Sequence, residues 1–285
     1  MNILVTGSNG QLGNEIRLLQ EEHRAHRWFN TDVAELDITD REAVSSFVEE
    51  NGIDGIINCA AFTAVDKAES SEELCRLLNS TAPGYLAEAM GKRGGWIVQV
   101  STDYVFDGTA HTPYTEDMPT SPNSVYGRTK LEGEQAVAAA CSRSMIIRTA
   151  WLYSRFGGNF VKTMMRLGRE KQELGVIFDQ VGTPTYARDL AVAIMTAVEK
   201  GIVPGIYHFS NEGVTSWYDF TKAIHRLAGI ASCHVRPLHT EEYPTPAARP
   251  AYSVLDKTKI KKTLGIEIPH WEESLAECMA ELKEG

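Results

Sequence analysis

The sequence predicts an α/β protein, a doubly wound parallel sheet followed by a smaller C-terminal lobe. Three observations carry this. Short apolar runs alternate with helical periodicities through the first half, a glycine-rich turn stands between the first run and the first helical stretch, and the strand-helix units recur at about thirty residues. Such alternation implies right-handed crossovers and hence a parallel sheet covered on both faces.

Taken in order, NILVT at 2–6 is an apolar run broken by Gly7, and Leu12, Ile16 and Leu19 then recur at helical spacing towards His23. RWFN at 27–30 predicts a second strand, the stretch after Asp40 a helix, IDGIIN at 53–58 a third strand, 72–91 a helix and WIVQV at 96–100 a fourth strand. A loop rich in Pro, Thr and Ser over 108–124 leads to a helix at 125–140 and a buried strand, MIIR at 145–148. Beyond Trp151 the rhythm loosens into a helix at 158–170, a short VIF strand, a helix at 187–199, the strand IYHF, a helix at 216–228 and then basic, proline-containing loops. Residues 1–150 are expected to form the first domain and 151–285 mainly the second, with segments at about 180–200 and 213–228 returning to the first.

A chain of 285 residues suffices for one large α/β domain with an appended lobe. Its 43% hydrophobic and 23% charged content excludes disorder and fibrous repeats. A net charge of -10 argues against a nucleic-acid or anionic-membrane surface, so a phosphate ligand must meet a local pocket. The N-terminus has no leader pattern and no run of apolar residues is of membrane-spanning length, which predicts a cytoplasmic protein. The 5 cysteines are irregularly spaced without a Cys-x-x-Cys pair and read as reduced thiols; the 8 histidines show no His-Glu-x-x-His pattern, so no catalytic metal is expected.

The turn Thr6-Gly7-Ser8-Asn9-Gly10-Gln11-Leu12-Gly13 places glycines at G-x-x-G-x-x-G spacing between strand and helix. Gly7 permits the tight turn, Gly10 lets backbone approach a pyrophosphate, and Gly13 lets helix and strand pack closely. The helix N-terminus adds free N–H groups and partial positive charge, so Gly7, Asn9, Gly10, Gln11, Leu12 and Gly13 are the expected dinucleotide turn. Asp32, 19 residues after Gly13, stands where an acid accepts from a ribose hydroxyl, with Asn30 as an alternative; this points to NADH. Arg24 and Arg27 are near enough in sequence to face a 2′-phosphate, which keeps NADPH open. Asp37-Ile38 reads either as an adenine contact or as a helix N-terminal acid.

Tyr126 and Lys130 lie four apart on a predicted helix, one turn from each other on the same face. A tyrosine is a poor proton donor near neutrality unless a neighbouring cation stabilises its anion, and an ammonium does so. A solvated helix face is the other reading of this spacing. Ser101 and Thr102 end the WIVQV strand, and in open α/β sheets ligands sit at the carboxyl ends of strands. Thr102 there would hold a substrate carbonyl oxygen for Tyr126; the pair is alternatively a strand-end cap.

With these residues assembled, the chain resembles the extended short-chain dehydrogenase/reductase superfamily and, within it, the dTDP-4-dehydrorhamnose reductase family. The resemblance rests on TGSNGQLG at 6–13, NCAAFTAVDKAE at 58–69, STDYVFDG at 101–108, PNSVYGRTKLEGE at 122–134, RTAWLY at 148–153, DQVGTPT at 179–185 and RPAYSVL at 249–255, nearly the whole chain. It implies a Rossmann sheet and the reduction of the C4 keto group of dTDP-4-dehydro-L-rhamnose by NADPH or NADH. By the same resemblance Tyr126 is the general acid, Lys130 its electrostatic partner and ribose anchor, and Thr102 the carbonyl holder. Ala60, Ala61 and Thr63 line the cofactor cleft, Asp103, Tyr104 and Trp151 face the sugar, and Arg249 meets the diphosphate or base; Trp151 is equally readable as a packing residue.

The resemblance further implies a group of homodimers with a divalent metal held by interface glutamates. Glu15 matches one such position and Asp189 stands near a second, whereas Glu272 and Glu273 align poorly. Two other readings compete. A non-catalytic dinucleotide-binding regulatory subunit would carry a damaged Thr-Tyr-Lys set, and here all three are present. A nucleotide-sugar epimerase or dehydratase is the other; in a dehydratase a paired acid is expected beyond Asp103, where YVFDG stands instead.

Overall fold

The computed structural model describes residues 1–284. Strand β1 (Asn2–Thr6) runs through the glycine turn into α1 (Gln11–Leu19), followed by β2 (Arg27–Thr31), α2 (Arg41–Glu50) and β3 (Gly55–Asn58). Two short helices, α3 (Val65–Ala68) and α4 (Glu72–Arg76), lead through a π-helical turn at Leu77–Thr81 into α5 (Ala82–Arg93). The predicted helix over 72–91 is therefore interrupted by this turn, at which the buried Asn79 side chain binds the Phe62 backbone and after which Pro83 opens α5. β4 (Trp96–Thr102), α6 (Val125–Ala140) and β5 (Ser144–Thr149) complete the first half.

The second half comprises β6 (Leu152–Tyr153), α7 (Phe160–Glu170), β7 (Glu173–Ile177), β8 (Val181–Gly182), β9 (Thr185–Tyr186), α8 (Ala187–Lys200), β10 (Gly205–His208), β11 (Thr215–Ser216), α9 (Trp217–Ala228), β12 (His234–Leu238), α10 (Thr258–Leu264) and α11 (Trp271–Glu284). Among the described residues no helix is long and apolar enough to cross a membrane.

The main sheet is parallel, in the order β2-β1-β3-β4-β5-β10. Its direction of growth reverses between β1 and β3, and at such a switch point the diverging loops leave a crevice at the carboxyl ends of the strands. Successive strand residues serve opposite faces: Ile3, Val5, Ile57, Val98 and Ile147 pack with α1 and α8, whereas Leu4, Ile56, Ile97 and Ile146 pack with α2 and α5.

Helix α8 packs on α1 and into the first of these clusters. The 213–228 segment differs from expectation. Helix α9 packs on α7 and α11, and its Phe220, Ala223 and Ile224 join Tyr153, Val161, Leu275 and Met279 in a separate third core. An apolar stripe on a helix records that it is buried, not against which core, and this one closes over the β7–β12 pair.

Candidate active site

The glycine turn meets its three steric demands. Gly7 has φ +63°, and a Cβ there would stand 2.7 Å from the Ala60 backbone. A Cβ on Gly13 would lie 2.5 Å from the Gly7 carbonyl and Ser8 Cα, so only glycine permits this contact of α1 with the turn. A Cβ on Gly10 would meet only the Gly7 carbonyl, at 3.2 Å, and would otherwise fill open space. No side chain caps α1 at Gly10, which leaves the first N–H groups of the helix free for an anion. These features fit a dinucleotide pyrophosphate.

Around the turn the predicted residues divide. The Asn9 N–H donates to Asp32 Oδ2 at 3.2 Å, placing the carboxylate beside the glycines. Leu12 is buried in the core and offers only its backbone, and Gln11 accepts from Asn159 Nδ2 at 2.9 Å. Arg24 binds the Glu21 carbonyl, Arg27 lies over the Phe29 ring, and Asn30 pairs with Gln20, so none of these three is directed at the turn. The cation beside it is Arg17, which donates to Ser8 Oγ at 2.9 Å and Asn9 Oδ1 at 3.3 Å. Sequence reading passed over Arg17 because its position on α1 suggests only a surface helix.

Asp37 is exposed, its carboxyl held below the usual range by bonds from the Thr39 hydroxyl and N–H. Asp40, not Asp37, caps α2. Ile38 is buried in the second core cluster. Ala60 and Ala61 are half-buried just beyond β3, and Thr63 is exposed.

The start of α6 is set by the Ser124 hydroxyl, which accepts from the Gly127 N–H at 3.1 Å. A Cβ on Gly127 would stand 2.2 Å from the Tyr104 carbonyl, so this glycine lets the helix sit against the end of β4. Tyr126 is thereby placed facing Thr102, its ring edge-on to Tyr104 at 5.5 Å. Burial pushes its phenol well above the ordinary value, with the Thr102 hydroxyl acting the other way.

Thr102 donates to Asp103 Oδ1 at 3.0 Å and accepts from the Tyr104 N–H at 3.2 Å, so it caps the turn as well as facing the phenol. Asp103 is 3% exposed and its carboxyl is pushed up to about 6 by burial, against the bonds from Thr102 and Ser253; its Oδ2 meets no described donor. Lys130 is likewise buried and donates to the Val100 carbonyl at 2.6 Å. Burial pushes its ammonium down to about 8, against the opposing charge of Glu134. Thr102, Tyr126 and Lys130 thus lie together at the carboxyl end of β4.

A second layer beneath them had no signature in the sequence. Thr6 donates to Asn58 Oδ1 at 2.6 Å, Asn58 donates to Gln99 Oε1 at 2.7 Å, and Gln99 donates to the same Val100 carbonyl that receives Lys130. This buried polar chain ties the ends of β1, β3 and β4 together.

Arg249 reaches from the C-terminal segment to Tyr104 Oη at 3.0 Å and Asp66 Oδ2 at 2.7 Å, beside a small cleft lined by Tyr104, Asn123, Ser124 and Pro250. Trp151 has φ +48°, a strained value for a large side chain, and stacks on Trp217 with centroids 3.5 Å apart. A Cβ on Gly182 would stand 2.8 Å from its ring, so β8 supplies the space that the strained tryptophan occupies.

Glu15 is fully buried and accepts from Ser154 Oγ at 2.5 Å, burial raising its carboxyl above the ordinary value. Asp189 is taken up by Asn211 and Ser274, and no group of three His, Cys, Asp or Glu side chains among the described residues has metal-holding spacing.

A parallel sheet with a glycine turn at its switch point and a Thr-Tyr-Lys set at a neighbouring strand end defines a dinucleotide-dependent oxidoreductase of the short-chain class. The chain belongs to the family described as RmlD substrate binding domain, whose model matches residues 1–284. It is 40% identical to the dTDP-4-dehydrorhamnose reductase of Salmonella typhimurium, over 99% of this chain and 98% of that protein. A crystal structure of a dTDP-4-dehydrorhamnose reductase from Clostridium acetobutylicum is 48% identical, with a TM-score of 0.95 and coverage of 99% of this chain and 100% of that one. The Bacillus anthracis dTDP-4-dehydrorhamnose reductase in complex with NADP is 38% identical, with a TM-score of 0.93 and coverage of 98% and 99%.

Proposed function

We propose that the protein reduces the C4 keto group of dTDP-4-dehydro-L-rhamnose with NADPH or NADH, giving dTDP-L-rhamnose for cell-surface polysaccharide synthesis. The carrying observation is the meeting of Thr102, Tyr126 and Lys130 at the end of β4, in a chain alike from end to end to reductases of this name. When bound, the reduced nicotinamide supplies the hydride that reaches the C4 carbon. Tyr126 gives its phenolic proton to the carbonyl oxygen, and Thr102 donates a hydrogen bond that holds that oxygen in place. The Lys130 cation lowers the cost of the phenolate left behind and is placed to reach ribose hydroxyls.

In this reading residues 1–150, joined by α8 and β10, hold the dinucleotide, and the lobe built on α7, α9 and α11 holds the sugar nucleotide with Asp103, Tyr104, Trp151 and Arg249. Asp32 suits the free ribose of NADH, while Arg17 offers a partner to the 2′-phosphate of NADPH. The 5 free cysteines suit the reducing cytoplasm, where we place the reaction.

The test supplies dTDP-4-dehydro-L-rhamnose with each cofactor and follows the loss of reduced-nicotinamide absorbance together with product formation. No consumption with either cofactor rejects the reading in favour of a regulatory dinucleotide binder. The pH profile adds a second measurement. Lys130 acts as a cation and is charged below its pKa, so kcat/KM is expected to decline as pH rises through about 8. A profile flat well above that pH removes the cationic role.

A further inference from the structure

We propose that Glu134, clamped by Ser101 and Arg148, is a positioning residue that fixes α6 against β4, so that Tyr126 and Thr102 meet at one carbonyl oxygen. The proposal rests on the reductase reading above and adds to it a residue that touches neither substrate nor cofactor.

Three consecutive residues at the end of β4 are each engaged by one face of α6. The Val100 carbonyl accepts from Lys130, the Ser101 hydroxyl donates to Glu134 Oε1 at 2.5 Å, and Thr102 faces Tyr126. Tyr126, Lys130 and Glu134 are spaced four and four along the helix, so they rise one above another. The outer two contacts belong to the proposed chemistry. The middle one does not, and it is the most tightly built.

Glu134 takes three donors. Besides Ser101, Arg148 gives Nε to Oε1 at 2.9 Å and Nη2 to Oε2 at 2.7 Å, a two-point fork with both side chains 3% exposed. Arg148 lies on β5 in register with Ser101, so one carboxylate joins α6, β4 and β5. The guanidinium also sits over the Phe106 ring at 5.1 Å, next to the segment that carries Asp103 and Tyr104.

Stability alone does not call for such a pair, because packed apolar residues of similar volume hold a helix on a sheet at least as well. Apolar contacts are non-directional and permit small sliding, whereas a fork fixes both distance and angle. Fixing matters here because misplacing a reacting group by about 1 Å costs on the order of a hundredfold in rate.

Ser101→Ala separates the tie to β4 from the ion pair, which it leaves intact. The expected result is a folded protein whose kcat falls about tenfold or more, while the KM for the sugar nucleotide and the Kd for NADH stay within about twofold. The primary isotope effect with 4-deuterated NADH is expected to rise as hydride transfer becomes rate-limiting. Ser101→Thr, which keeps a hydroxyl on the strand, is expected to restore most of the turnover. Glu134→Asp, too short to span both partners, supplies a second variant with the same expected split.

A Ser101→Ala kcat close to the parent value, an equal loss in Ser101→Thr, or a loss that only tracks the folded fraction overturns the proposal. Tyr126→Phe assayed alongside separates the two claims. If the parent protein consumes neither cofactor the reductase reading fails, if Tyr126→Phe stays active its acid role fails, and if Tyr126→Phe is inactive while Ser101→Ala is normal the positioning role alone fails.

Discussion

Replacing Tyr126 by Phe is expected to lower kcat by about 10² to 10⁴-fold while leaving the Kd for NADH and NADPH within about threefold. The substitution isolates the phenolic hydroxyl. The Phe ring keeps the edge-on contact with Tyr104, the Ser124 cap is untouched, and Gly127 still lets the helix approach the strand. Because burial pushes the phenol upward, it holds its proton throughout the working pH range, and giving that proton up depends on a cation that stabilises the phenolate, the role proposed for Lys130.

The buried acid left nearby in the variant is Asp103, bonded through Thr102 and pushed up to about 6. Its carboxyl holds a proton below that value and loses it above. Any residual turnover of the Phe variant is therefore expected to decline as pH rises through about 6. Stopped-flow measurement of the hydride step, with fluorescence titration of the cofactor, reads both quantities. A hydride step within about threefold of the parent removes Tyr126 as the acid.

What could be read from the sequence is what depends on near neighbours. Gly13 is demanded by contact with the turn itself and Gly7 by its own positive φ, and Tyr126 and Lys130 are related by helix pitch alone. The parallel sheet follows from the alternation of short strands with helices, and so does the position of Thr102 at a strand end. Contacts across large sequence separations left no such trace. Gln99 and Asn58 look like polar interruptions in apolar strands until the strands are laid side by side and each becomes the other's partner.

The same holds for the break after α4. Pro83 and Gly84 follow it in the first turn of α5, but the turn itself falls where the Phe62 backbone, 17 residues earlier, offers Asn79 both a donor and an acceptor. Arg249 was assigned to the substrate by resemblance, yet here its guanidinium is shared between Tyr104 and Asp66, the latter 183 residues away. Substrate binding at Arg249 must therefore compete with, or build on, an existing ion pair. The packing of α9 on α7 and α11 was equally closed to inspection, since either hydrophobic core satisfies its apolar stripe.

Arg148→Met is expected to destabilise the fold by about 3–5 kcal/mol, the usual cost of stranding one member of a buried ion pair. Met fills much of the aliphatic volume, but Glu134 keeps a carboxylate at 3% exposure with Ser101 as its remaining partner. Urea denaturation of the single variant and of Arg148→Met/Glu134→Leu measures the effect. Removing both charges is expected to return the stability to within about 1 kcal/mol of the parent, because an apolar pair of similar size avoids the desolvation that the ions incur. Activity is expected not to follow. The double variant lacks the Glu134–Ser101 tie, so its kcat is expected to remain low in the manner of Ser101→Ala, with cofactor affinity preserved. Recovery of stability and turnover together would show that the clamp serves the fold alone; recovery of stability without turnover separates holding the helix in place from holding it in register.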